Sequence, residues 1–424
     1  MRTDQLSDIV TPLAEWSYDL PPKIRQTDSD RAAALSHHPL MVEHDRVENT
    51  KEWRRASDKL RSLARIRRTR DNGVEGRPVF RRLIFLSVTA LGLSSMSVAG
   101  DNWDPVRAAR YLDGRLEQWS TWKPAASDEG PCVSCHTGMT YLLARPALRR
   151  RLGESGQTPF ETGLLGRLRA SVGEKPPSYL QGVEVIFAAL FLSDRDRPAP
   201  SAAETARAFD QLWALQLRDG AAAGSWEWLI VNLDPWEHAE SAFFGATLAA
   251  LAAGQSGAVA ADRGPASENL TLLATYLRAP GPARRPLHDR LALLWAASAW
   301  RELLPAHDRD SLIAEAFARQ QADGGWTIAS LGPWTARPNA PAVSGSSSYA
   351  TGFATYVLLR GGVSPSDPRI ARALAWLTAH QDKDTGAWPA VSMNKRYPTG
   401  SMESFFMQDA ATAFASLALI EGKR

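Results

Sequence analysis

The sequence predicts an all-α fold, an α/α toroid of about six helical hairpins, and three observations predict it. Past residue 100, polar-faced helical segments alternate with segments that are apolar nearly all round and dense in alanine. Three of the polar-faced segments end alike, in a Gln followed a few residues later by Gly-x-Trp. β-Branched alternation is scarce, so strands are not needed to bury a chain that is 44% hydrophobic.

Residues 1–78 are polar, rich in Arg and Asp, and carry no sustained apolar period. They are expected to be a disordered extension, or a spurious one if translation begins near Val79. Residues 79–99 read as a signal peptide: Arg81 and Arg82 flank an apolar run from Leu83 to Leu93, and Ser97-Val98-Ala99 supplies the small-x-small end. The run is shorter than the roughly 20 apolar residues of a membrane span. A buried core helix is the competing reading. Residues 100–424 then form the toroid, in a periplasmic or secreted protein with no integral membrane domain after signal cleavage.

The expected pairs are 105–122 with 136–152, 158–172 with 178–193, 201–217 with 238–254, 266–278 with 287–304, 308–321 with 347–361, and 367–381 with 403–421. The second member of each pair is the buried one. Glycines close several of these buried segments, as a helix C-terminus favours.

Inside the first pair lies the chain's most informative string, Cys132-Val133-Ser134-Cys135-His136, which holds both of its cysteines. Two thiols three residues apart on a turn entering a helix can each add to one vinyl group of a porphyrin. The next residue then sets an imidazole under the iron. The string resembles the attachment site of c-type cytochromes, which implies one covalent haem c held by Cys132 and Cys135 with His136 as metal ligand. Three other readings compete: a zinc site, which lacks further Cys or His nearby; a redox pair, which lacks a βαβ context; and a structural disulfide.

The second metal position has no nearby donor, since Met139 is one helical turn from His136 and no Met or His lies between Thr140 and Glu237. His238, His288, Met393, Met402 and Met407 are the distant candidates, with His238 first and His288 next; an open or water-bound iron is the alternative. His307 and His380 fall on polar-faced helices.

The pairs Gln216 with Trp226, Gln320 with Trp326 and Gln381 with Trp388 resemble the QW motifs of squalene–hopene cyclases and related terpenoid cyclases. The likeness covers residues 200–424 well and 100–200 by pattern. It implies that these six residues brace adjacent repeats. The acidic Asp-x-Asp-Asp element of that family is missing from "LDPWEHAE" and "DKDTG", which argues against its cyclisation reaction.

In a toroid the buried helices start at one mouth, which places the haem motif beside His238, His288 and the aromatic loops that precede the later buried helices. Trp236, Trp334 and Tyr397 are the candidate lining residues for a flat apolar macrocycle, or else ordinary loop packing. Asp234, Glu237 and Glu240 are acid/base candidates or helix N-terminal charges.

A formal net charge of +3 with 22% charged residues gives no large field, so no nucleic-acid partner is expected. The expected function is an exported c-type haem protein that exchanges electrons with a redox partner protein or acts on an apolar small molecule. The rivals are a hydrolase, lyase or cyclase on the same toroid without haem, and a lipid- or glycan-binding module.

Overall fold

A computed structural model of the protein describes residues 103–126, 130–173, 180–193, 202–259, 266–279, 285–334 and 337–423. The readings of 1–78 as an extension and of 79–99 as a signal peptide lie outside the described residues.

Among the described residues the fold is all-α, with twelve helices and no strand. In chain order the helices are α1 (Pro105–Thr121), α2 (Gly138–Leu152), α3 (Pro159–Ser171), α4 (Gln181–Leu192), α5 (Ala202–Ala214), α6 (Ala242–Ser256), α7 (Ala266–Arg278), α8 (Leu287–Ala297), α9 (Ala306–Ala318), α10 (Ser348–Arg360), α11 (Pro368–Ala379) and α12 (Phe406–Glu421). The even-numbered helices are the buried ones, their described side chains covered on almost every face; all but α2, which carries four arginines, are mainly apolar. None is long and apolar enough to cross a membrane.

Packing follows the alternation. From α4 onward each buried helix lies against the next, α4 on α6, α6 on α8, α8 on α10 and α10 on α12, and α12 then packs on α2. Helix α3 packs on both α2 and α4. Residues near the C-terminal ends of all six buried helices line one cavity of about 100 Å³, among them Ala147, Phe191, Gln255, Trp295, Arg360 and Glu421.

The Gln and Trp residues make the same bonds in all three repeats. Trp226, Trp326 and Trp388 are buried, and each donates its indole N–H to a carbonyl near the end of the preceding polar-faced helix: Leu212, Ala316 and Leu377, all at 2.7 Å. Each Gln side chain donates once to the glycine carbonyl of its own turn and once to the next polar-faced helix. Gln216 reaches Asn269 O at 3.0 Å, Gln320 reaches Arg369 O at 2.9 Å, and Gln381 reaches Asp104 O at 2.9 Å. Asp104 caps α1, so the last repeat is bonded to the first. The glycines that permit this, Gly224, Gly324 and Gly386, all have positive φ. A Cβ there would overlap Leu272 O, Arg372 O and Arg107 Cβ respectively, on the helix being gripped.

All six buried helices differ from expectation at an end, α2, α4 and α10 by three residues or fewer, and the other three for specific reasons. Helix α6 starts at Ala242 rather than 238, because residues 238–241 close a separate turn in which His238 N donates to Ser241 Oγ at 2.9 Å. Helix α8 stops at Ala297 rather than 304, where the chain passes through an extended Trp300 into a short 3-10 turn, Arg301–Leu303. Helix α12 starts at Phe406 rather than 403, behind the 3-10 turn Met402–Phe405.

Candidate functional site

The Cys-x-x-Cys-His string folds into a capped turn at the head of α2. Ser134 Oγ accepts from the backbone N–H of Thr137 and of Gly138, each at 3.1 Å, and Ser134 O accepts from Met139 N at 2.8 Å. The turn is tied to the end of α1, because Trp119 donates its indole N–H to Cys132 O at 2.8 Å. Cys132 and Cys135 are both free thiols. Burial pushes the half-buried Cys132 up to about 11, with Arg167 opposing. Cys135 is buried, and burial together with the nearby Glu237 carboxyl holds its thiol well above the ordinary value.

His136 sits against aromatic rings on several sides. It stacks on Phe406, the first residue of α12, at 3.6 Å between centroids and 16° between planes. Trp119 meets it edge-on at 5.4 Å, Trp236 lies at 6.4 Å, and Trp122 packs on both Trp119 and Phe406. Burial, with Arg115 adding its positive charge, pushes the imidazole down to about 3. The ring is therefore neutral near pH 7, the form that ligates metals.

From Trp236 a second network runs away from the motif. Its indole N–H donates to Tyr349 OH at 3.0 Å, and Tyr349 OH lies 2.8 Å from His288 Nε2. His288 Nδ1 is 3.0 Å from Asp289 Oδ1. The other carboxylate oxygen, Asp289 Oδ2, is 3.6 Å from His238 Nε2, within ion-pair reach but too long for a direct hydrogen bond. Neither of those two atoms has a hydrogen-bond partner, though both are buried. Burial pushes Asp289 upward, but the two imidazoles outweigh it and hold its carboxyl below the ordinary range. His238 is pulled down by burial and carried above its ordinary value by Asp289. Trp334 meets His238 and His288 edge-on, at 6.2 and 6.0 Å.

Eight of the residues singled out from the sequence thus fall in one continuous network: Cys132, Cys135, His136, Trp236, Glu237, His238, His288 and Trp334. Tyr397 is half-buried on its loop, with the Lys395 ammonium 5.1 Å from its ring centroid. Met393 and Met407 line a cavity of about 490 Å³ with Trp376 and His380, and Met402 offers its carbonyl to Arg115 at 3.2 Å. Asp234 is buried in a cis Asp234–Pro235 turn clamped by Asn394, which bonds its N at 2.9 Å and its O at 2.6 Å. Glu240 is exposed. Among the described residues no group of three or more His, Cys, Asp and Glu is placed to hold a metal ion.

Glu237 is buried beside Cys135, which donates to it, and burial raises its carboxyl to about 7. Between an unfolded value near 4.5 and a folded value of about 7, the folded protein holds the extra proton. Stability therefore falls as pH rises through that window, by about 3 kcal/mol in full. Glu237→Gln is expected to flatten this slope, measured as urea midpoints below pH 4.5 and above pH 7. An unchanged slope contradicts the assignment.

Several residues of the site were not anticipated: Trp119, Trp122, Phe406, Thr137, Tyr349, Asp289, and Asp409 with its partners Arg115 and Tyr111. Asp289 and Asp409 did leave a trace in the sequence. Each is the one carboxylate in the early turns of a mostly apolar helix, "LHDRLALLWAA" and "FMQDAATAFASLALIE", and a buried carboxylate there must be paired. Compared with known protein families and with curated proteins, the chain matches none.

Proposed function

We propose that the chain is an exported c-type haem protein built on an α/α toroid related to the squalene–hopene cyclases, acting in electron transfer or in redox chemistry on an apolar ligand. The observation that carries this reading is the site at the head of α2: two free thiols three residues apart on a capped turn, followed by a neutral imidazole among aromatic rings. That donor set fits covalent haem. The repeated Gln bonds, with Gln381 reaching back to Asp104, support the closed ring of repeats.

In this reading Cys132 and Cys135 would hold the haem covalently and His136 would ligate its iron. Haem bound there supplies a one-electron couple tuned by ligation, burial and local polarity. Phe406 fixes the plane of the imidazole, and Trp119 and Trp236 pack around it, with Trp122 behind Trp119 and Phe406. His238 stands ahead of His288 as the second ligand. Its ring is partly exposed, with Nε2 facing Asp289 at 3.6 Å, whereas His288 is buried with both ring nitrogens engaged.

The test is a reductive titration of protein made with c-type haem maturation. The reading predicts a reversible one-electron transition in the visible spectrum. Haem that cannot be reduced and reoxidised in the folded protein contradicts it and favours a binding module. One observation favours a second reading, a haem-free acid–base enzyme: Glu237, raised to about 7, directly precedes His238, one of the two imidazoles against Asp289. A colourless protein would turn attention there.

A further inference from the structure

His136 Nδ1 lies 2.9 Å from Thr137 Oγ1. A threonine hydroxyl has one proton to give, and this one is directed to Asp409 Oδ2 at 2.8 Å. Asp409 is buried, 272 residues further along the chain, on the same helix as the Phe406 ring that stacks on His136. Its other oxygen accepts from Arg115 Nε at 2.8 Å and from Tyr111 OH at 2.8 Å. Gln408 Nε2 donates to Tyr111 OH at 3.1 Å, which leaves the phenol proton for Asp409.

The direction of these bonds follows from charge. Arg115 is buried, and a neutral Asp409 would leave its guanidinium without a counter-charge. Burial pushes the Asp409 carboxyl upward, and Arg115, Thr137 and Tyr111 oppose it by holding the charged form; paired with Arg115 it acts here as a carboxylate, which only accepts. Thr137 must donate to it, so toward His136 the hydroxyl can only accept. Nδ1 then carries the proton of the neutral ring, and Nε2 is left with its lone pair. Ser134 Oγ is the one competing hydroxyl near Nδ1, but at 3.4 Å it is a far weaker partner than Thr137 Oγ1 at 2.9 Å.

We infer that Asp409 is the positioning residue for His136: acting through Thr137, it fixes the imidazole as the Nδ1–H tautomer and presents Nε2 as the ligand atom. The functional meaning rests on the haem reading, whereas the tautomer does not. A partner behind a ligating histidine sets both its orientation and its basicity. Here that partner is on the last helix, so the site is complete only when α12 has docked on α1 and α2.

The experiment is ¹⁵N NMR of the imidazoles in the metal-free, thiol-reduced protein near pH 7. For His136 it should show a protonated Nδ1 and a bare Nε2. Asp409→Asn is expected to reverse the tautomer, because an amide can donate to Thr137 and turn that hydroxyl toward Nδ1. Since this variant risks unfolding, Thr137→Val is the second: it should abolish the preference, and Thr137→Ser should keep it. An Nε2–H form in the wild type, or a tautomer unmoved by Thr137→Val, overturns the inference. In haem-loaded protein, Thr137→Val should raise the midpoint potential, since a less basic imidazole favours the reduced iron, and Thr137→Ser should not; an unmoved potential overturns the positioning role. Failure of haem attachment sinks the haem reading alone, because the NMR readout needs no haem.

Discussion

Replacing Cys132 and Cys135 together by alanine is expected to abolish covalent colour. Wild-type protein matured with c-type haem should keep its haem through acid-acetone extraction, and the double variant should lose essentially all of it. The reason is chemical: only a thioether survives conditions that strip ligand bonds, and these are the chain's only two thiols. Each single variant should retain haem through the remaining bond. Folding should survive, because Cys132 is only half-buried, and losing the Cys135 bond to Glu237 costs on the order of 1 kcal/mol. Colour that persists in the double variant, measured against its circular dichroism, contradicts the attachment site.

Arg115→Ala is expected to destabilise the fold by about 3–5 kcal/mol, the cost of leaving one member of a buried ion pair alone. Arg115 and Asp409 are both almost fully buried and join α1 to α12 at 2.8 Å. The same guanidinium also bonds Gln118 and the Met402 carbonyl and lies 4.8 Å from the Phe405 ring centroid. One substitution thus removes contacts from the turn that leads into α12. The paired variant Arg115→Met with Asp409→Leu should recover much of the loss, since it leaves no buried charge unpaired. Urea midpoints of the three proteins decide this. A single variant within 1 kcal/mol of wild type would mean that the pair is not buried as described.

The architecture was legible because its signals are local and repeated. Alternation of amphipathic and all-apolar segments places the helices, and Gln with Gly-x-Trp marks the joints between them. Gln381 illustrates the limit: its motif announces a brace, but only the fold shows that the braced partner is Asp104, 277 residues away. The helix starts were less legible, because the turn at His238–Ser241 and the 3-10 turn at Met402–Phe405 are closed by specific hydrogen bonds rather than by composition.

The site was legible in the same uneven way. Cys132, Cys135 and His136 are contiguous, so their chemistry can be read from spacing alone. The groups that surround them come from α1, α10, α12 and the loop before α6, and nothing local ties Phe406 or Asp409 to His136. His238 and His288 stand out as rare residues near the starts of buried helices, whereas nothing in the local sequence marks Asp289 as their common partner. A single acidic residue in a run such as "LHDRLALLWAA" is better read as a buried group in need of partners.

The central claim is that "CVSCH" holds a covalent haem, and a pyridine haemochrome spectrum after acid-acetone extraction tests it most directly. On protein matured with c-type haem, the claim predicts colour that stays with the chain and shows the bands of a thioether-linked haem. A colourless chain whose Cys132 and Cys135 remain as thiols or pair as a disulfide would contradict it.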